Sequence, residues 1–267
     1  MKRRSFVKAS LLSSSLGSLM PLISMASMDL YDQKKANREF YELRVYTLKN
    51  EIQQRLVEDY FEKAAIPAFN RSGSKSIGVF SELKPAGFTK LYVIIPFKTL
   101  DDFFKLPEKL ARDASYNEAG TAYLNAPSAE PAYERIESSL MRAFVNMPKI
   151  AVPEKKTRLF ELRRYESSGE AAGQKKIEMF NTAGEIEIFK RVGLTPVFFG
   201  ETIIGSFRPN LTYMLTYDDM DEHGRNWNVF RNDPEWKRIS AIPEYANAKI
   251  VSRITSTFLV PTAYSQI

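Results

Sequence analysis

The sequence contains an internal duplication, and the two copies lie a constant distance apart along the chain. The hexapeptide YELRVY at residues 41–46 returns as FELRRY at residues 160–165, an offset of 119 residues. The same offset relates FSE at residues 80–82 to FGE at residues 199–201. A unit of this length is too long for a solenoid repeat and has the size of a small domain. We therefore predict that the chain holds one small domain twice, each copy with its own core.

The first residues predict an export signal. Residues 2–8 read KRRSFVK, and a Ser-rich, mildly apolar run follows them. Paired arginines ahead of a weakly apolar region resemble the twin-arginine signal, and the small residues up to Ala26 suit cleavage. We predict a signal peptide at residues 1–26 and a periplasmic mature protein. A membrane anchor is the less favoured alternative, because Gly17, Pro21 and several serines interrupt a run that is short for a bilayer span.

Removal of this signal changes how the charge of the chain is interpreted. The whole chain carries a formal net charge of +6 at pH 7, and four basic residues, Lys2, Arg3, Arg4 and Lys8, lie in the predicted signal. The mature protein would then carry +2 (6 − 4), so we expect neither nucleic acid nor a stable membrane anchor for it. The chain has no cysteine, which excludes disulfides and thiolate chemistry.

The rest of the chain divides into a lead, two units and a linker. Residues 27–38 are polar and lack periodicity, so we predict a flexible lead. Residues 147–156 carry two prolines, which favour an extended linker. The first unit is predicted at residues 39–146 and the second at residues 157–267.

Each unit shows strand-like and helix-like patterns in the same order, with Pro and Gly between its two middle strands. The elements predicted in the first unit are strand 40–48, helix 51–69, hairpin strands 76–83 and 89–97, helix 100–123 and strand 132–145. Those of the second unit are strand 157–166, helix 171–191, hairpin strands 196–204 and 210–217, a broken helix 220–248 and strand 249–260. This β-α-β-β-α-β order predicts an α+β fold built from two ferredoxin-like units.

We expect the two sheets to close on each other as an intrachain pseudo-dimeric α/β barrel, because helices cover only one face of each sheet. Alternation along the first strand places the side chains of residues 41, 43 and 45 on one face of the sheet and those of residues 42, 44 and 46 on the other. We assign the odd-numbered residues to the helix-covered core, together with Phe160 and Leu162. The barrel interior would then contain Glu42, Arg44, Tyr46, Glu161, Arg163 and Tyr165.

Charged side chains enclosed in a barrel need partners or a polar ligand, since an unpaired buried charge is strongly unfavourable. One hypothesis is a pocket in which an arginine holds an anionic or carbonyl group and a glutamate acts as base or acceptor. The alternative is a salt bridge between the sheets that fixes how the two halves dock. The candidate ligand-binding residues are Glu42, Arg44, Tyr46, Glu161, Arg163, Tyr165 and Tyr213.

The Glu-Leu-Arg-x-Tyr opening of each unit and the run WNVFRNDPEW at residues 227–236 resemble the NIPSNAP family. The resemblance covers nearly all of the predicted mature chain, although the first unit lacks the Trp-x-x-Phe and Asp-Pro-x-Trp signature. It implies a dimeric α/β-barrel fold related to small cofactor-free monooxygenase-like and stress-response barrels. It does not imply one settled reaction.

Other motifs argue for structure more than for chemistry. Asp233 precedes Pro234, an arrangement typical of a helix N-cap. His223 is the only histidine, so no metal cluster or histidine triad can be assembled around it, and we expect a loop or helix-cap residue. The glycines do not have the spacing of a phosphate loop or a Rossmann fingerprint. We predict no metal and no cofactor.

Two hypotheses for function remain. The first is an exported tandem barrel that binds a small organic ligand, with cofactor-independent oxygenase-like or isomerase-like chemistry. The second is a non-catalytic module that binds a partner protein or forms a homo-oligomer through its outer helices. A cavity of a few hundred Å³ that touches Arg44 or Arg163 would favour the first, and fully paired charges without a cavity would favour the second.

Overall fold

The computed structural model describes residues 38–267. The predicted signal peptide and nearly all of the predicted lead fall outside these residues. Within them, no helix combines the length and the apolar character that a membrane crossing requires.

The two units have the same order of elements. The first unit contains β1 (Phe40–Leu48), α1 (Glu51–Asp59), a π-helical segment (Tyr60–Ala65), α2 (Ile66–Ser72), β2 (Gly78–Glu82), β3 (Thr89–Phe97), α3 (Leu100–Ala111), α4 (Ala114–Ala119), α5 (Thr121–Leu124) and β4 (Arg135–Ala143). The second contains β5 (Leu159–Glu166), α6 (Glu170–Asn181), α7 (Glu185–Arg191), β6 (Thr195–Ile204), β7 (Asn210–Tyr217), α8 (Met220–Asn232), α9 (Pro234–Ser240), a 3₁₀ segment (Pro243–Tyr245), α10 (Asn247–Ile250) and β8 (Arg253–Pro261). The predicted α+β fold of two β-α-β-β-α-β units is confirmed.

All eight strands form one closed antiparallel barrel in the order β1-β3-β2-β8-β5-β7-β6-β4. The two units are joined edge to edge, because β2 pairs with β8 and β4 pairs with β6. Closure gives every edge strand a partner and so removes the unpaired backbone groups of two open sheets. The predicted intrachain barrel is confirmed, and its halves share backbone ladders as well as facing each other.

Strand register shows which positions of the two units are equivalent. Arg44 lies opposite Val93 in β3, and Arg163 lies opposite Tyr213 in β7. Across the other neighbour, Arg44 lies opposite Ser138 in β4. Arg163 likewise lies opposite Ser256 in β8. The duplicated strand therefore keeps one serine neighbour in both units, while the residue on its other side differs.

The predicted assignment of the two sheet faces is wrong. The barrel interior contains an apolar cluster that includes Tyr41, Phe160 and Met214, with Leu43 and Val45 packed against it. The interior of an eight-stranded barrel has room for packed side chains or for one small ligand, and here the odd-numbered apolar residues of β1 point into it.

The candidate residues lie on the opposite side of the sheet, under the helices. Tyr46 packs among helix residues of the first unit, and Tyr165 and Tyr213 pack among those of the second. Arg44 lies 5.9 Å from the ring centroid of Phe69 in α2. Both faces of the barrel wall are covered in this fold, so alternation along the strand separates two faces without showing which one is the interior.

Candidate functional site between the second sheet and its helices

Glu161 lies at the centre of a hydrogen-bonded cluster on the helix side of β5. Its side chain is 1% exposed, and Oε1 accepts hydrogen bonds from Arg163 Nη1 and, at 2.6 Å, from Ser256 Oγ. Oε2 accepts from the Tyr217 hydroxyl at 3.1 Å and from the Trp227 indole N–H at 3.2 Å. Three strands and helix α8 therefore converge on one buried carboxylate.

This carboxylate is held in its ionised form. Burial acts to raise the pKa of Glu161, but the positive charge of Arg163 and the hydrogen bonds from Ser256 and Arg163 outweigh burial and place the pKa below its usual value. Glu161 is consequently an anionic acceptor at neutral pH.

His223 of α8 adds a titratable group to the same carboxylate. Its Nε2 lies 3.4 Å from Glu161 Oε2, and its ring is edge-on to the rings of Tyr217 and Phe258. Burial and the charge of Arg163 lower the pKa of His223, and the opposing effect of Glu161 does not restore it. A neutral imidazole that donates Nε2–H to Glu161 keeps Nδ1 as an unprotonated acceptor.

Arg163 links the carboxylate to the aromatic wall of the site. Its guanidinium lies 4.7 Å from the ring centroid of Trp227, a cation–π distance. Nη2 donates to the Tyr165 hydroxyl at 3.2 Å, and that hydroxyl lies 3.3 Å from the hydroxyl of Tyr213. Arg163 Nε is buried and makes no hydrogen bond within residues 38–267. One nitrogen of the guanidinium is therefore without a hydrogen-bond partner.

A second buried ion pair lies behind the aromatic wall. Lys176 Nζ of α6 donates to Glu185 Oε2 at 2.9 Å, and their side chains are only 2% and 3% exposed. The ammonium group also lies 4.6 Å from the ring centroid of Phe180. Burial raises the pKa of Glu185 despite the opposing charge of Lys176.

Two cavities adjoin this cluster. The first, of about 410 Å³, is open to solvent and touches Glu161, His223, Ser256 and Phe258. The second, of about 240 Å³, touches Tyr165, Lys176, Glu185, Phe230 and Trp236. Arg163, Trp227 and Arg231 line both cavities. Arg231 is exposed, and its guanidinium has no ion pair or hydrogen bond within the part of the chain that the structure describes. The cleft therefore combines a buried carboxylate and a neutral imidazole with an uncommitted cation at its rim.

The equivalent cluster of the first unit is closed. Glu42 accepts from Arg44 Nε and Nη2, both at 2.8 Å, and from Ser138 Oγ at 2.8 Å. Arg44 lines neither of the two cavities. Tyrosines fill the space beneath its helices, where the Tyr60 and Tyr123 rings stack with centroids 3.8 Å apart. This ion pair lies within one strand of the first unit, so it is not the salt bridge between the sheets that was the predicted alternative.

The structure thus divides the seven candidate residues into two groups, one in each unit, and does not gather them around one chamber. Glu161, Arg163, Tyr165 and Tyr213 lie together in the second unit. Glu42, Arg44 and Tyr46 lie together in the first. Their role in ligand binding stays a prediction.

Sequence reasoning missed His223 as part of the site, and helix α8 holds the signal that could have found it. His223, Trp227 and Arg231 follow one another at intervals of four residues. This spacing places them on one face of a helix.

The helix N-cap predicted at Asp233 is confirmed, since its side chain accepts hydrogen bonds from the backbone N–H groups of Glu235 and Trp236 at 2.9 and 3.0 Å. Residues 38–267 contain no group of three or more His, Asp or Glu placed to hold a metal ion.

Solved structures share this fold. Two proteins described as putative monooxygenases, from Fusobacterium nucleatum subsp. nucleatum ATCC 25586 and Lactobacillus acidophilus NCFM, superpose with TM-scores of 0.56 and 0.55 at 9% and 11% identity. Both alignments cover 84% of this chain, and they cover 93% and 94% of the other chains. At this identity the likeness shows the fold alone.

A NIPSNAP family protein from Agrobacterium tumefaciens str. C58 is 20% identical, with a TM-score of 0.36, and the match covers 40% of this chain and 96% of that one. Among curated proteins there is no match. The family model described as NIPSNAP matches twice, at residues 41–146 and 160–266. These two matches together span well over half of the sequence, and the chain belongs to the NIPSNAP family.

Proposed function

We propose that the cleft of the second unit binds a small organic acid and removes a proton from it. The observation that carries this proposal is the ionised Glu161 beside a neutral His223 in a solvent-open cavity of about 410 Å³. A cleft of this size suits a ligand of metabolite dimensions. The proposal moves the ligand from the barrel interior, where sequence reasoning had placed it, to the helix side of β5.

Charge at the rim of the cleft indicates the class of ligand. Glu161 and Glu185 are matched by Arg163 and Lys176, which leaves Arg231 to hold an anionic group. A guanidinium binds a carboxylate through two parallel hydrogen bonds. The rings of Trp227 and Phe258 supply apolar walls for the rest of the ligand. An aromatic or otherwise planar carboxylic acid matches both features.

His223 is the base in this proposal. Its Nδ1 would accept a proton from a carbon next to the carbonyl or carboxylate of the ligand, and the imidazolium so formed would lie against Glu161. A carboxylate in this position stabilises the imidazolium and fixes the ring, as in other carboxylate–histidine pairs. Geometry and charge therefore support one proton transfer without a cofactor.

The fate of the deprotonated ligand defines the reaction. Reprotonation at another carbon would make the protein an isomerase, and reaction of the carbanion with O₂ would make it an oxygenase. The neighbours described as putative monooxygenases favour the second outcome by analogy of fold.

The test is exchange of a carbon-bound proton. The intact chain is incubated in D₂O with a panel of aromatic 2-oxo acids, phenylpyruvate first, and ¹H NMR follows the loss of the C3 protons against buffer alone. We expect exchange above the buffer rate, its loss in His223→Gln with binding retained, and about tenfold weaker binding in Arg231→Ala. Arg225→Ala, at an exposed position of the same helix that lines neither cavity, is the matched control and should bind and exchange as the parent does.

Two outcomes would contradict the proposal. Binding without exchange above buffer would leave a non-catalytic binding protein. No binding, or equal binding by parent and Arg231→Ala, would instead favour the interaction module that docks partners through its outer helices.

We also propose that the protein works in the periplasm after twin-arginine export, on the basis of the arginine pair at positions 3 and 4. Arg3→Lys with Arg4→Lys should retain the chain in the cytoplasm when cell fractions are probed. Unchanged periplasmic recovery of the double variant would rule out this route.

A further inference from the structure

The barrel interior has two contrasting halves, and only one of them is closed by apolar packing. The packed half contains Phe80, Phe160, Val197 and Leu259, all fully or almost fully buried. The other half holds a cavity of about 320 Å³ at the end where β2 turns into β3 and β6 turns into β7. This cavity is separate from the cleft of the second unit, since the two have no lining residue in common.

All eight strands contribute to this barrel-mouth cavity. One lining residue from each strand in chain order is Leu43, Glu82, Tyr92, Ser139, Leu162, Thr202, Thr212 and Thr255. A ligand held here would touch both units at once. The cavity exists only because the duplicated chain closes into one barrel.

The lining is rich in hydroxyl groups. Thr202, Thr212, Thr255 and Thr257 all face the cavity, together with Ser139. The Oγ1 of Thr255 is buried and makes no hydrogen bond within the described residues. A buried hydroxyl without a partner costs free energy that a ligand hydroxyl would recover. The lining therefore offers donors and acceptors of the kind that neutral polar ligands use.

The formal charges of the lining are balanced, and two of its four charged side chains have a partner. The two cations Lys90 and Arg164 face the two anions Glu82 and Glu137. Arg164 Nη2 is paired with Glu166 Oε1 at 2.9 Å. Glu82 accepts a hydrogen bond from the Tyr92 hydroxyl at 2.7 Å. The cavity thus lacks the charge excess that would select a cation or an anion.

Apolar surfaces complete the cavity. Leu43, Val45 and Leu162 provide an aliphatic part of the lining. At the rim the Phe207 ring lies 4.2 Å from the guanidinium carbon of Arg164 and is half exposed. A ring with hydroxyl groups on its edges and C–H groups on its faces matches this combination of surfaces.

We propose that the barrel-mouth cavity binds a neutral polyhydroxylated ring of monosaccharide size. Hydroxyl groups of the ligand bond to Thr212, Thr255 and Ser139, while its C–H face packs on Leu43 and Leu162. This site goes beyond the proposed chemistry of the second-unit cleft and does not depend on it.

The test uses the intact chain with methyl β-D-glucopyranoside and myo-inositol as probes. Saturation-transfer NMR detects binding, and calorimetric titration gives Kd. We expect both probes to bind, and Thr255→Val and Thr212→Val each to weaken binding by about five- to tenfold, since each removes one neutral hydrogen bond without changing side-chain shape. Thr195→Val, an exposed position at the start of β6 that does not line the cavity, is the matched control and should leave Kd unchanged.

One further variant distinguishes this site from the cleft. His223→Gln should bind the sugar probes with the parent Kd even if it abolishes proton exchange on organic acids. Absence of saturation transfer at tens of millimolar probe would overturn the proposal, and so would equal Kd values for parent and Thr255→Val. Displacement of the sugar by acetate or phosphate from the same cavity would overturn the assignment to a neutral ligand.

Discussion

The two units start from the same strand motif and use it differently. In the first unit Glu42 is bound by Arg44 and Ser138, and stacked tyrosines close the space above the pair. In the second unit the equivalent Glu161 also accepts hydrogen bonds from Tyr217 and Trp227, and His223 lies in contact with it.

The difference arises at neighbouring positions rather than in the motif. By strand register, Val93 of the first unit occupies the position of Tyr213, and Phe97 occupies that of Tyr217. Loss of two hydroxyl groups removes the outer part of the hydrogen-bond network. A buried Glu–Arg pair can therefore serve as a structural bridge in one copy and as the floor of a cleft in the other.

The largest expected effect comes from breaking the Lys176–Glu185 ion pair of the second unit. Lys176→Met would leave the Glu185 carboxyl buried without its cation, and we expect a loss of about 3 kcal/mol in the free energy of unfolding. Urea denaturation followed by circular dichroism measures it. Lys176→Met combined with Glu185→Leu should recover most of the loss, because the uncompensated acid is then gone. A single variant as stable as the parent would show that the pair contributes little to the second unit.

The next effect compares the two glutamates directly. Glu161→Gln should cost about 2 kcal/mol of unfolding free energy and Glu42→Gln about 1 kcal/mol, since Glu161 is more deeply buried and has more donors. Equal losses in the two variants would remove the energetic distinction between the units.

The pH dependence of the same variants gives a second readout. Folding lowers the pKa of Glu161 below its ordinary value of 4.5. Its contribution to the free energy of unfolding is therefore fully present above that pH and is lost as pH falls through the lowered folded-state pKa. The acid-side decline in unfolding free energy should therefore be shallower in Glu161→Gln than in the parent.

A smaller effect is expected from the two serines that occupy equivalent positions. Ser256 donates to Glu161 at 2.6 Å, and Ser138 donates to Glu42 at 2.8 Å. Ser256→Ala should cost about 1.5 kcal/mol and Ser138→Ala about 0.5 kcal/mol, because water can replace the lost donor more easily at the less buried Glu42. Denaturant melts of the two variants provide the comparison, and a reversed order would contradict it.

The last prediction concerns the pKa of His223, which has no counterpart in the motif of the first unit. Since the chain contains one histidine, its imidazole proton signals can be assigned without ambiguity. An NMR titration should give a pKa below 6.5 in the parent and a still lower pKa in Glu161→Gln, because the carboxylate favours the imidazolium. Glu42→Gln should leave the value unchanged. A parent pKa above 6.5 would mean that His223 is a cation at its site.

The lowered pKa of His223 also makes the stability of the fold depend on pH. Folding lowers the pKa of His223, so the unfolded chain binds its proton more readily, and stability should decrease as pH falls from about 6.5 through the folded-state value. His223→Gln should remove this part of the decline.

Much of the fold could be predicted because the duplication and the turn residues act locally. The hairpin between β2 and β3 follows from the Pro and Gly between two branched, aromatic runs. The order of elements then allows few topologies. The helix N-cap at Asp233 was also predictable, since it depends on neighbours within three residues.

The candidate site was predictable only in part. Glu161, Arg163 and Tyr165 stand on one strand face, so alternation showed that they lie together. Their contacts with Trp227 and Lys176 join residues far apart in the sequence, and no local pattern predicts such pairs.

The sequence by itself determined the two-copy plan, the barrel and the grouping of polar residues on alternate strand positions, because these depend on periodicity and local backbone preferences. Tertiary structure alone decided which face of the barrel wall is interior and which copy has an open cleft. Both depend on how helices pack over the sheet, where side chains distant in sequence compete for the same space and for the same hydrogen bonds.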